Sequence, residues 1–148
     1  MDKAVRRITV TGVVADEARS WWPRVSRWCE AALEHGGGLL SLDDIKQGVA
    51  ERDMQLWVIH EWRTLKAVCV TTIQIWPQAK VLTAIVVSGH DMPDWVEALD
   101  DVLMRYAAAQ GCKVVDAHGR RGWTKTLRGL GWRDAMVTFS KEVNDGRR

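Results

Sequence analysis

The period of apolar residues changes twice along this chain, and the changes mark its elements. Three successive runs, Met54–His60, Leu65–Trp76 and Lys80–Ser88, are rich in β-branched and aliphatic side chains and are joined by brief polar turns at 61–64 and 77–79. Runs of that length with short joints predict an antiparallel meander. The middle run alternates in part, with Ala67, Cys69, Thr71, Ile73 and Ile75 on one side, yet it also carries Val68 and Val70 on the other. Both faces are therefore expected to be covered near its start. The third run, VLTAIVVS over Val81–Ser88, meets turn chemistry at Gly89-His90-Asp91. From Pro93 the period becomes helical: Trp95, Leu99, Val102, Leu103 and Tyr106 share one face, and Asp94, Glu97, Asp100, Asp101 and Arg105 the other. Pro93 suits a first helical turn, Asp91 or a neighbour caps it, and Gly111 supplies the left-handed stop. Strand, turn and helix form the unit around which the rest is arranged.

On the N-terminal side, Val5–Val14 (VRRITVTGVV) reads as a short strand weakened by Gly12. A helical pattern from Asp16 is interrupted at Pro23 and resumes with Val25, Trp28, Cys29, Ala32 and Leu33, which predicts one helix kinked at Trp22-Pro23 or two short ones. Gly36-Gly37-Gly38 ends it. These glycines follow a helix rather than a strand and precede no G-K-[ST], so they read as a flexible stop and not as a phosphate loop. Ser41 caps a short helix through Ile45 and Val49, with Asp44 as capping-box partner. On the C-terminal side, Val114–His118 (VVDAH) is a strand, Gly122 opens a short helix with Trp123, Leu127 and Leu130 inward, and Gly131 stops it. Ala135–Lys141 (AMVTFSK) alternates as a final strand, and 144–148 are expected to fray. Leu99, Val102, Leu103, Leu127, Val137, Phe139, Trp28 and Leu33 are the expected core.

Composition narrows the class more than the function. With 148 residues, 47% hydrophobic and 27% charged, the chain suits one globular domain over 1–148. Lys and Arg number 21 against 19 Asp and Glu, and a net charge of +2 gives no long-range pull toward nucleic acid or anionic lipid. Arg120, Arg121, Lys125 and Arg128 read as a solvated helix face rather than a nucleic-acid site. Cys29, Cys69 and Cys112 are odd in number, widely spaced and set in apolar runs, so they read as reduced core residues. No apolar run approaches the roughly 18 residues of a membrane span, and the first residues lack the apolar core of a signal peptide, which points to a cytoplasmic protein. His35 and His60 show no metal-ligand spacing, and no metal is expected. Nine tryptophans stand beside one Tyr and one Phe. Trp21, Trp22 and Trp62 lie next to Pro or charged residues, outside the periodic faces, and are the candidates for a surface shared with a protein partner or a second copy.

The element order is thus β-α-α-β-β-β-α-β-α-β, a mixed α+β arrangement with a mostly antiparallel sheet flanked by helices. Residues Gly119-Arg120-Arg121-Gly122-Trp123, Leu127, Leu130-Gly131-Trp132 and the closing Thr138–Glu142 are similar to a G-R-x-G-W…L-x-x-L-G-[YW] ending. In that ending and in element order the chain resembles the GNAT superfamily of acetyltransferases, and most of all the small acetyltransferase-like proteins encoded by tailed bacteriophages. The resemblance implies a fold that holds acyl-coenzyme A between two splayed strands, with the pyrophosphate on the turn before the long helix. Val87, Ser88, Gly89 and His90, with Arg120 and Arg121 from the next strand's end, are the positions it implies for acetyl-CoA. Lys113 and Lys125 are further basic residues at the mouth of that cleft.

Against that pattern the turn itself departs. Active members usually read [QR]-x-x-G-x-[GA] here, whereas this chain reads Ser88-Gly89-His90-Asp91-Met92-Pro93-Asp94. One Gly survives, Pro93 removes a donor, and Asp91 and Asp94 bring negative charge to a phosphate position, a repulsion of about 1 kcal/mol each. Asp116, His90 and His118 are the bases nearest the expected cleft. Tyr106 falls on the packed face of the long helix, and the later helix has no tyrosine. Three functions follow: a GNAT-fold protein without efficient transfer, acting through its surface as a structural or accessory component, in the phage setting that the resemblance implies; an acetyl-CoA-dependent N-acetyltransferase with an atypical turn; and, least supported, a nucleic-acid module.

Overall fold

The computed structural model describes residues 7–119 and 121–143. Strand β1 (Ile8–Val13) is followed by a 3-10 turn (Ala15–Ser20), helix α1 (Trp22–Leu33) and helix α2 (Leu42–Ala50). Strands β2 (Met54–Glu61), β3 (Thr64–Ile75) and β4 (Lys80–Gly89) lead into α3 (Met92–Ala109), then β5 (Val114–Ala117), a 3-10 turn (Arg121–Trp123) and α4 (Thr124–Gly129). The strands form one sheet in the order β1-β2-β3-β4-β5, antiparallel from β1 through β4 and parallel between β4 and β5. The expected meander is formed, and β4 lies inside the sheet rather than at its edge.

Alternation along the strands divides the core in two. Val58, Val68, Val70 and Val86 face α1 and α2, where they meet Val25, Cys29, Ile45 and Val49. Ile59, Ala67, Cys69 and Leu82 face α3, where they meet Trp95, Leu99, Leu103 and Ala107. Ala67 through Thr71 are buried in succession, as expected for a strand covered on both faces. Ser41 Oγ accepts from the Asp44 N–H at 3.2 Å and Asp44 Oδ2 from the Ser41 N–H at 2.8 Å, so both halves of the capping box form and hold the Asp44 carboxyl below its usual range. Burial pushes the Cys29 thiol up to about 12 and the Cys69 thiol higher still.

Of the two forms expected around Pro23 the structure has the second, two short helices: the 3-10 turn over Ala15–Ser20, then α1, which begins at Trp22 with Pro23 as its second residue, as Pro93 is in α3. Two other expectations are corrected. Trp22, Val25 and Cys29 then share the inward face, and Trp22 is only 8% exposed. That ring belongs to the core and has no surface left for a partner. Trp28, Leu33, Val102 and Leu127 are half-buried at the borders of the two clusters rather than inside them.

The largest correction concerns the end of the chain. Ala135–Lys141 joins no strand: it is irregular, and Val137 and Phe139 are 68% and 92% exposed instead of buried. Alternation gives a segment strand propensity, but a strand also needs a partner edge to satisfy its backbone groups. Gly131, with φ of +89°, turns the chain after α4, and the segment leaves the sheet. The tail at 144–148 lies outside the described residues.

Candidate functional site: the fork between two parallel strands

Opposite Val70 and Thr71 the partners on β4 jump from Val86 to Ala84, leaving Ile85 as an extra residue. A bulge of this kind bends its strand. The parallel ladder to β5 ends at the same level, with Ala84 opposite Ala117 and the His118 N–H donating to the Ala84 carbonyl at 3.2 Å. From Val86 to Gly89, β4 is paired with β3 but not with β5. The two strands therefore part as a fork, as the resemblance implies, and Val87 and Ser88 stand on its inner arm. Beneath it is an apolar cavity of about 30 Å³, walled by Ala84, Val87, Val96, Leu99, Trp123 and Trp132. A larger hollow, about 260 Å³, is lined by Gly12, Arg52, Gln55, Trp57 and Tyr106. Two of its lining residues are linked through the buried Thr71: Trp57 Nε1 donates to Thr71 Oγ1 at 2.9 Å, and Thr71 Oγ1 donates to Gln55 Oε1 at 2.8 Å.

The turn that closes the fork is built tightly onto β3. The His90 N–H donates to the Lys66 carbonyl at 3.0 Å, and Trp95 Nε1 donates to the His90 carbonyl at 2.6 Å. A Cβ on Gly89 would lie 2.3 Å from the Lys66 carbonyl oxygen and 2.4 Å from Ala67 Cβ, so glycine is required here by the neighbouring strand, whatever the fork binds. Asp91 is the N-cap residue of α3 but sits in the left-handed region at φ of 57°, and its side chain makes no capping bond. It instead accepts from Lys66 Nζ at 3.0 Å. The Asp94 N–H donates back to the Asp91 carbonyl at 2.8 Å.

Lys66 was not among the residues singled out from the sequence. It is 18% exposed, and its hydrogen bond to Asp91 raises its pKa. Beyond the bulge at Ile85 the register pairs Ala67 with Gly89, which puts Lys66 beside the start of α3. The repulsion expected from two aspartates is therefore offset at Asp91 by a cation.

The candidate bases are not brought together. Asp116 is level with Thr83 on β4, and His118 follows level with the bulge, whereas His90 lies five residues farther along, about 16 Å at strand rise. His90 rests edge-on against Trp28 at 5.6 Å, and His118 is exposed. Asp116 Oδ1 is buried and has no hydrogen-bond partner among the described residues. Tyr106 packs edge-on against Trp57 at 5.0 Å and is held above its usual pKa by burial. It lies 14 residues beyond Met92, about 21 Å along α3, far from the turn. Arg120 is outside the described residues, as is the side chain of Arg121. Lys113 and Lys125 are exposed, and Arg128 pairs with Asp134 at 2.9 Å.

Of the interface candidates besides Trp22, Trp62 is 67% exposed at the β2–β3 turn, with the Arg7 guanidinium 4.6 Å over its ring. Trp21 is half-buried between His60 and Arg24. Among the described residues no group of three His, Cys, Asp or Glu is placed to hold a metal, and no helix is long and apolar enough to cross a membrane.

No family model and no curated protein matches this sequence. Solved structures do match its fold. A GCN5-related N-acetyltransferase from Ralstonia eutropha superposes with a TM-score of 0.71 at 16% identity, over 92% of this chain and 98% of that one. Glucosamine-6-phosphate N-acetyltransferase from Arabidopsis thaliana gives 0.62 at 14% over 93% and 99%. Ribosomal-protein-alanine N-acetyltransferase from Brucella melitensis gives 0.68 at 11% over 93% and 99%. At these identities the likeness shows the fold, and the fold is that of the GNAT acetyltransferases.

Proposed function

We propose that this chain keeps the acetyltransferase fold without efficient acetyl transfer and works as a structural or accessory protein through its surface, in the tailed-phage setting suggested by the resemblance of its C-terminal quarter. The observation that carries this reading is the use of the backbone in the turn before α3. A diphosphate at a helix N-terminus needs several convergent N–H donors. Here the His90 N–H is taken by the Lys66 carbonyl, the Asp94 N–H by the Asp91 carbonyl, and Pro93 has none. Two carboxylates occupy the same turn. The residues present do not fit the diphosphate of acetyl-CoA.

A second reading is favoured by two features: the open fork above Ala84, and Lys66, which is within reach of any anion that displaces Asp91. Under it the chain is an N-acetyltransferase that holds the phosphates by side chains, with Lys66 joined by Arg120 and Arg121. Calorimetric titration with acetyl-CoA separates the two. The first reading expects a dissociation constant weaker than about 50 μM, less than roughly 5.8 kcal/mol of binding. Tighter binding that is lost on Lys66→Glu establishes the second.

A further inference from the structure

The border of the sheet formed by β1 and β2 carries a notch. β1 ends with Val13 opposite Leu56, whereas β2 begins two residues earlier at Met54, so Gln55 has no β1 residue opposite it. The hollow of about 260 Å³ lies in this notch, between residues 12–15, Arg52, Trp57 and Tyr106. Gly12 lets the Trp57 ring form its wall, since a Cβ there would stand 3.2 Å from Cζ3 of the indole. The hollow shares no lining residue with the apolar cavity beneath the fork, and it borders β1, the outer strand farthest from β5.

One chain of hydrogen bonds fixes the polarity of this hollow. The Trp57 indole N–H can only donate, so Thr71 Oγ1 accepts it and gives its own proton to Gln55, which must turn its oxygen toward Thr71. The Gln55 amide nitrogen, with two N–H groups, is then the end left without a partner among the described residues. The Tyr106 hydroxyl, beside the edge of Trp57, has no partner there either. Arg52 adds positive charge at a position that usually holds glycine. The Arg52 N–H donates to the Val49 carbonyl at 3.2 Å and the Asp53 N–H to the Gly48 carbonyl at 2.9 Å, the two bonds that close a helix through a left-handed residue, and Arg52 has φ of 65°. Its guanidinium meets Asp16 at 3.5 Å with both side chains largely exposed, a weak pair that leaves most of its N–H groups for another anion.

We propose that this notch is a binding site for a small aromatic carboxylate. The side chains able to meet its anionic end, Gln55, Tyr106 and Arg52, offer donors and one positive charge, whereas Val13, Met54 and Trp57 offer apolar and polarizable surface to its ring. A cavity of roughly 150 Å³ takes up benzene. The larger volume here therefore suits one ring with its carboxylate, below the roughly 300 Å³ at which pockets for drug-sized ligands begin. This inference is independent of both readings of the turn before α3.

Titration of the full chain with benzoate, followed by NMR at its amide and indole N–H groups, tests the proposal. The expected result is a set of saturable shifts at residues 12–15 and 52–57 and at the Trp57 indole. Acetate, which lacks the ring, and benzyl alcohol, which lacks the charge, should each bind about tenfold more weakly. Gln55→Glu keeps an oxygen for Thr71 but replaces the free donor with a carboxylate, and should weaken benzoate by about tenfold or more. Arg52→Gly should weaken it several-fold while the melting temperature holds or rises, because the left-handed backbone suits glycine. A merely structural role for Arg52 would not separate affinity from stability in this way. If Gln55→Glu fails to fold, Arg52→Gly decides alone. The proposal is overturned by an absence of saturable shifts at millimolar benzoate, by shifts confined to residues 84–89 and 117–118, by equal affinity for benzyl alcohol, or by Arg52→Gly protein that binds benzoate as the wild type does.

Discussion

The meander with its flanking helices and the segment after β5 differ in how they are held. In residues 54–89 each strand lies one short turn from its partner, and the alternation that sorts Val58, Val68 and Val70 from Ile59, Ala67 and Cys69 is answered on both faces by helices. After β5 the chain is poorer in apolar residues, and those it has are not covered: α4 contains no buried residue and Phe139 stands in solvent. The difference teaches that periodicity reports which face of a segment prefers burial, while burial itself depends on a neighbour the local sequence does not specify.

Substitutions ranked by expected effect can break or sharpen that contrast. Leu103→Ala, at the centre of the α3 cluster, should cost about 2–5 kcal/mol in denaturant unfolding. A loss below about half a kcal/mol would mean the helical face is not the core. Trp132→Phe removes an indole hydrogen bond to a carboxylate, one of the few polar ties between the later region and α3, and should cost about 1.5–3 kcal/mol. Its signature should be faster amide exchange confined to residues 121–132. Exchange that accelerates equally in β2 and β3 would show the two regions to be one cooperative unit. Ser41→Ala breaks the capping box of α2 and should cost about 1 kcal/mol.

The smallest expected effect is a pH dependence at the α1 border of the meander. Burial, then the Arg24 charge, holds the His60 pKa below its ordinary value. The unfolded chain therefore binds this proton more readily, and the contribution of neutral His60 is present above about pH 6.5 and is lost as the pH falls below it. His60→Gln should flatten the decline in melting temperature between neutral and mildly acidic solution. An identical slope in both proteins would assign the decline to other groups.

What was legible followed from local chemistry. Ser41 with Asp44, the 77–79 turn, Gly111 and the 93–109 face all encode their structure within a few residues. Trp22 departs from its expected place at the surface because Pro23, as the second residue of α1, sets the preceding ring on the inward face with Val25 and Cys29. The fork needed a bulge at Ile85 that no local pattern announces, since a bulge is a mismatch of two strands. Lys66 was missed for a related reason: its meaning lies in Asp91, 25 residues away. The strand at 135–141 was expected from alternation alone, and alternation says nothing of which edge is free.

The central claim is that the turn from Gly89 to Asp94 is built against a diphosphate. It is tested most directly by titrating acetyl-CoA into the wild-type chain and into an Asp91→Gly, Pro93→Ala, Asp94→Ala triple variant. The account predicts weak binding by the wild type and a gain of about tenfold or more in the variant, equivalent to about 1.4 kcal/mol, as a backbone donor returns and two carboxylates leave. Tight binding by the wild type, unchanged or weakened in the variant, would contradict it.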